Sequence, residues 1–231
     1  MSRFLAPGPV DDHPDQRLQR LRASVTARFD DFSGFEMHAR GEHDAVVLAA
    51  GGSSRLGRPK QLLTINGETL LQRAVRLAKA TCPTRMLVVL GAHAEQLAPL
   101  VTGTAILFNP TWEEGMGSSL CRAAAALAGR PYPVLVTLVD QPCLTPEHLD
   151  KLFVAFDGSC DVVSAYGDAL GAPALLRPQT MALAGTLQGD AGFRRLWAGS
   201  HPAAVRRDAL ERDLDTPEDV AAAVAAGLLD G

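Results

Sequence analysis

Residues 48–63 read Leu48-Ala49-Ala50-Gly51-Gly52-Ser53-Ser54-Arg55-Leu56-Gly57-Arg58-Pro59-Lys60-Gln61-Leu62-Leu63. Gly51 and Gly52 let the backbone approach a ligand and turn its N–H groups toward an anion. Ser53 and Ser54 add hydroxyl donors, and Arg55 and Lys60 bring fixed positive charge suited to phosphate oxygens. The spacing excludes two familiar loops. Gly57 is followed by Arg58-Pro59 rather than Lys-Ser/Thr, so this is no Walker A loop, and no GxGxxG dinucleotide fingerprint is present. A second chemical group comes at Leu135-Val136-Thr137-Leu138-Val139-Asp140, an apolar run that ends on a carboxylate. Mg²⁺ prefers one or two carboxylates alongside phosphates and waters, so Asp140 suits that ion.

These residues need a frame. Apolar runs at 45–49, 86–90, 104–108, 134–138 and 162–165 read as strands. Helical patterns fall between and after them, at 70–81, 94–101, 118–128, 146–156 and 218–229. The alternation predicts an α/β fold with helices on both faces of a sheet. The glycine-rich loop then follows the first strand, and Asp140 follows a later one, where open α/β sheets bind their ligands. Thr145-Pro146 and Thr216-Pro217 mark two helix starts, and Ser118 is expected to cap the helix after Gly115 and Gly117.

The long loop signature resembles the nucleotide-binding motif of MobA-like nucleotidyltransferases, closest to the molybdenum cofactor cytidylyltransferase branch. The resemblance runs from about Ala45 to Val220. It implies a Rossmann-like three-layer α/β/α domain with a mostly parallel central sheet. It also implies transfer of CMP from CTP to a phosphorylated acceptor, Mo-molybdopterin, with release of pyrophosphate and Mg²⁺ as cofactor. A molybdenum hydroxylase is the implied partner enzyme.

By the same resemblance, Leu48, Ala49, Ala50, Gly51, Gly52, Ser53, Ser54, Arg55 and Lys60 hold the nucleotide, and Asn109, Gly115, Ser118 and Ser119 lie against its base and ribose. Gly171, Pro173, Asp190 and Arg194 line the acceptor side. Arg55, Lys60 and Asp140 carry the catalysis. The second metal-facing carboxylate is Asp213 or Asp215, which alternate on an expected strand face so that both can point into the site. The chain departs from the family at Ala172, often a histidine there, and at Ala191-Gly192-Phe193. Both departures fall on the acceptor side. Other readings therefore stay open: a guanylyltransferase, a sugar- or polyol-phosphate cytidylyltransferase, or, from another class, an NAD(P)H-dependent reductase of a nicotine-derived pigment.

Composition bounds the rest. The 231 residues, 47% hydrophobic and 21% charged, are enough for one domain with a real core. A net charge of −4 argues against bulk nucleic-acid binding or a polybasic membrane surface. No apolar run reaches the roughly 20 residues of a membrane span, and the N-terminus does not read as a signal peptide, so the cytoplasm is expected. The four cysteines form no CxxC pair and read as buried free thiols. His93 and His148 read as structural or exposed rather than as ligands. Residues 1–44 form an extension ahead of the domain at 45–231. Leu18, Leu21, Val25 and Phe29 form one narrow helical stripe within it, suited to docking or to a mobile tail alike.

Overall fold

The computed structural model describes residues 40–187, 192–212 and 214–231. The expected helical stripe within 1–44, Asp190 and Asp213 lie outside them.

In chain order the elements begin with β1 (Asp44–Ala49), the short hairpin β2 (Thr64–Ile65) and β3 (Glu68–Thr69), and helix α1 (Leu70–Lys79). Next come β4 (Arg85–Leu90), the one-turn α2 (Ala94–Leu97), β5 (Ala105–Phe108), α3 (Met116–Ala126) and β6 (Val134–Leu138). They are followed by α4 (Pro146–Ala155), β7 (Val162–Tyr166), β8 (Ala169–Leu176) and α5 (Pro178–Ala184). The last are α6 (Phe193–Leu196), β9 (Ala203–Arg206) and α7 (Pro217–Ala225).

Seven strands form one sheet in the order β5-β4-β1-β6-β8-β7-β9. The four strands from β5 to β6 run parallel; β8 is antiparallel to both neighbours, and β7 and β9 are parallel to each other. This is the mostly parallel, Rossmann-like three-layer arrangement expected of the sequence. Alternation along β1 divides the core. Ala45, Val47 and Ala49 join one apolar cluster with α1, α4 and α7, while Val46 and Leu48 join the other with α3, α5 and α6. All six residues of β1 are buried, and a strand covered on both faces calls for the near-continuous apolar run at 45–49 that follows Asp44.

Two strands of the main sheet were not legible in the sequence. β8 carries Gly171 and Pro173, which read as loop formers. The proline is accommodated because the β7–β8 register shifts between Val163 and Ser164, leaving Ala172 and Pro173 in an irregularity. β9 is short and half-exposed, and its apolar run, Ala203-Ala204-Val205, is too brief to stand out. In the other direction, a strand is expected around residues 213–215, but the described Leu214 and Asp215 lie in irregular chain leading into α7. Leu214 is anchored by burial alone, and the polar Asp215-Thr216 pair goes to the helix cap.

Two caps also differ. α3 starts at Met116 with Gly115 before it, so Ser118 lies inside the first turn and its hydroxyl turns back to the Gly115 and Thr111 carbonyls. Thr145 precedes α4 without a side-chain bond to a helix amide, whereas Thr216 and Asp219 form a complete capping box. The cysteines are free but not buried: Cys82 is exposed, and Cys121, Cys143 and Cys160 are partly so.

Candidate active site

The loop after β1 is built from behind. Gln61 is fully buried, and its amide nitrogen donates to the carbonyls of Ala49 (3.0 Å) and Gly51 (2.8 Å). The His93 ring nitrogen Nε2 meets the Gly52 carbonyl at 3.1 Å. With these carbonyls held on one side, the amides of residues 51–55 donate to no group among the described residues. Consecutive unclaimed N–H groups in such a turn form an anion-binding concavity. Ser53, with φ of 51°, sits in the left-handed region, and its Oγ accepts the Lys60 amide at 3.1 Å.

The two glycines face different surroundings. Gly51 and Ser54 are exposed, but a Cβ at Gly52 would stand 2.7 Å from the Trp112 ring, so the indole packs directly on that backbone. Leu48, Ala49 and Ala50 are buried beneath the loop and support it.

Lys60 turns from this loop toward two carboxylates. Its Nζ donates to Asp140 Oδ2 at 2.7 Å and to Asp215 Oδ1 at 2.9 Å. Arg55, itself exposed, reaches the other oxygen of Asp215. Asp140 follows β6, and Asp215 precedes α7, where the Asp219 carboxylate accepts the backbone N–H groups of Asp215 and Thr216. Four groups from three chain segments thus meet at the carboxyl ends of β1 and β6.

The charges hold one another in place. Burial pulls the Lys60 ammonium down, but Asp140 and Asp215 outweigh it and keep the pKa above the usual lysine value. Burial likewise pushes Asp215 up, yet Lys60 and then Arg55 hold its carboxyl below the usual range.

The donor set fits a hard divalent cation. Two carboxylate oxygens bond the same ammonium, so they lie no farther apart than those two short distances together allow. An all-oxygen pair of this kind, completed by phosphate oxygens and water, is how Mg²⁺ or Mn²⁺ is held. No group of three or more His, Cys, Asp or Glu that could hold a metal ion gathers among the described residues.

The other expected residues fall in three places. Asn109 is buried and spends its amide inside the protein: it donates to Ser118 Oγ (2.8 Å) and Ser119 Oγ (3.0 Å) and accepts from the Thr111 N–H (3.1 Å). Asn109, Ser118 and Ser119 thus pin the 109–118 turn, in which Gly115 has φ of 98°. Gly171 and Pro173 are buried within β8, with the phenol hydroxyl end of Tyr166 set closely against Gly171. Arg194 lies in α6, and Asp190 and Asp213 lie outside the described residues. Sequence reasoning missed Gln61, His93 and Trp112 as supports of the loop. Gln61 had a visible signal, its place directly after Lys60.

Comparison with known proteins accords with this geometry. The family profile of the MobA-like NTP transferase domain matches residues 45–206. The chain belongs to this family. Among curated proteins, nicotine blue oxidoreductase of Paenarthrobacter nicotinovorans is 35% identical over 161 residues, 64% of this chain and 78% of that one. The bifunctional protein GlmU of Corynebacterium jeikeium is 32% identical over 123 residues, 49% of this chain, and the match spans only 25% of that longer protein. Among solved structures, Rv0371c of Mycobacterium tuberculosis in complex with manganese superposes with a TM-score of 0.67 at 26% identity, covering 80% of this chain and all of that one. The MobA-like domain is a nucleotidyltransferase domain, and the manganese complex is consistent with use of a divalent metal in the family.

Proposed function

We propose that the chain transfers CMP from CTP to the phosphate of Mo-molybdopterin, releasing pyrophosphate, with Mg²⁺ as the metal. The observation that carries the transferase reading is Lys60, joined at once to Asp140 and Asp215 beside a loop of unclaimed amides. The base and acceptor rest on the loop sequence, Ala49-Ala50-Gly51 and Gly57-Arg58-Pro59-Lys60, which resembles the cytidylyl branch.

In this reading the amides of residues 51–55 cradle the triphosphate. Lys60 and Arg55 leave their carboxylates for the α- and leaving phosphates, where they offset charge that grows in the transition state. Asp140 and Asp215, released from those cations, would hold the divalent ion, which supplies charge neutralisation at the α-phosphate. A phosphate monoester acceptor is already anionic near neutral pH, so no protein base is needed, and positioning of the two substrates supplies much of the rate. The product would serve a molybdenum hydroxylase as partner. No helix among the described residues is long and apolar enough to cross a membrane.

The test is pyrophosphate release with Mo-molybdopterin, CTP or GTP, and Mg²⁺ or Mn²⁺. Turnover with CTP is expected; turnover with GTP alone reverses the base assignment, and turnover only with a sugar or polyol phosphate moves the acceptor. The 35% identity to nicotine blue oxidoreductase supports a second reading, reduction of a related pigment by NAD(P)H. Nicotinamide oxidation that depends on pigment and is indifferent to CTP would establish it.

A further inference from the structure

Three consecutive carbonyls after Asp140 are each held by an arginine. Arg73, on α1, donates through Nη2 to Pro142 O at 3.2 Å and to Leu144 O at 2.6 Å. Arg207, just beyond β9, donates through Nε to Cys143 O at 3.1 Å. Gln141 closes the third side with a bond from its amide nitrogen to Ala172 O at 2.7 Å. Among the described residues, neither arginine forms an ion pair with a carboxylate.

Spending guanidinium groups on neutral carbonyls is costly, because a half-buried cation loses hydration and makes no close ion pair in return. A plain turn does not need it. The Asp140 side chain explains the use. Its carboxylate has a single hydrogen-bond partner among the described residues, the ammonium of Lys60. When Lys60 moves to a phosphate, only the backbone of this loop holds Asp140 in place.

We propose that Arg73 and Arg207 are positioning residues for nucleotidyl transfer: by pinning the carbonyls of Pro142, Cys143 and Leu144 from two separate elements, they fix the Asp140 carboxylate opposite Asp215. The inference rests on the transferase reading and on Asp140 as a metal-facing group.

The test uses Arg73→Gln and Arg207→Gln, each alone and combined with Asp140→Asn. Pyrophosphate release is followed against metal concentration with whichever triphosphate turns over, and Mn²⁺ binding is followed by electron paramagnetic resonance with a non-hydrolysable analogue. Each single arginine change should lower kcat about tenfold and raise the half-saturating metal concentration similarly, with KM for the triphosphate within about twofold. In the Asp140→Asn background the arginine changes should cost nothing further, the mark of groups acting through one another. Losses that multiply in a disabled Asp140→Asn enzyme overturn the clamp alone. A fully active Asp140→Asn enzyme overturns both the clamp and the site it serves. If no triphosphate turns over, unaltered Mn²⁺ binding in the arginine variants overturns the clamp by itself. Where Arg73→Gln does not fold, Arg207→Gln, which removes one bond from another element, carries the same test.

Discussion

Lys60 lies between two carboxylates, and its charge therefore has two uses. In the free protein it keeps Asp140 and Asp215 from repelling each other. Against a triphosphate it becomes a ligand for phosphate oxygens, and the carboxylates are left to the metal. Metal and nucleotide should accordingly favour each other's binding, since each draws away a partner the other must displace. Lys60→Met separates the two uses. Turnover should fall by roughly 2–4 kcal/mol of transition-state stabilisation, the scale of a lost electrostatic donor. Mn²⁺ alone, titrated without nucleotide, should bind more tightly than to the unaltered protein, because the competing ammonium is gone. Weaker or equal Mn²⁺ binding would show that the two carboxylates are not the metal-facing pair.

The elements reveal what spacing alone can and cannot encode. The parallel strands β1, β4 and β6 were legible because burial on both faces demands apolar runs, and the loop after β1 was legible because its glycines and cations are contiguous. β8 was hidden by Pro173, whose place depends on a register shift with a partner seven residues or more away in sequence. Asp215 was named together with Asp213 for the wrong local reason, an expected strand; the α7 capping box is what positions it. Helix α4 shows the same dependence on tertiary contact. Its His148 is buried, with Nε2 at 2.8 Å from Ser164 Oγ, and that hydroxyl donates to Pro173 O at 2.7 Å. The imidazole thus donates, and fixes the irregular part of β8. Burial first, then the charges of Arg207 and Lys151, lower its pKa to about 4. The unfolded chain takes up this proton near the ordinary value of about 6.5, before the folded one does. Stability from this group is therefore complete above that value and declines as pH falls toward 4, by up to about 3 kcal/mol. Thermal melts from pH 7 to pH 4 should show the slope, and His148→Gln should flatten it to what is left by His43, also buried and lowered, and by carboxylates held low such as Glu68 and Asp215. An unchanged slope in His148→Gln would place the acid sensitivity elsewhere.

At the scale of the molecule, the sheet has two ends with different duties. The carboxyl ends of its parallel strands carry the loop, Lys60 and Asp140. At the amino ends, Asp44 opens β1 fully buried, and Arg130, just ahead of β6, answers it with two bonds, Nε to Oδ2 at 2.5 Å and Nη2 to Oδ1 at 2.7 Å. A two-pronged pair of this geometry ties the neighbouring strands β1 and β6 at their base. Removing one partner of a buried charge is worse than removing both, because the survivor stays desolvated and unpaired. Arg130→Met should thus lower the denaturant midpoint more than the double change Arg130→Met with Asp44→Asn. Because the pair lies a full strand length from Lys60, both proteins should keep kcat/KM within about twofold wherever they remain folded, as expected for distant sites that share no partners. Parallel losses in stability and kcat/KM would mean instead that the two ends of the sheet are mechanically joined, and that the base of β1 helps to set the loop at its other end.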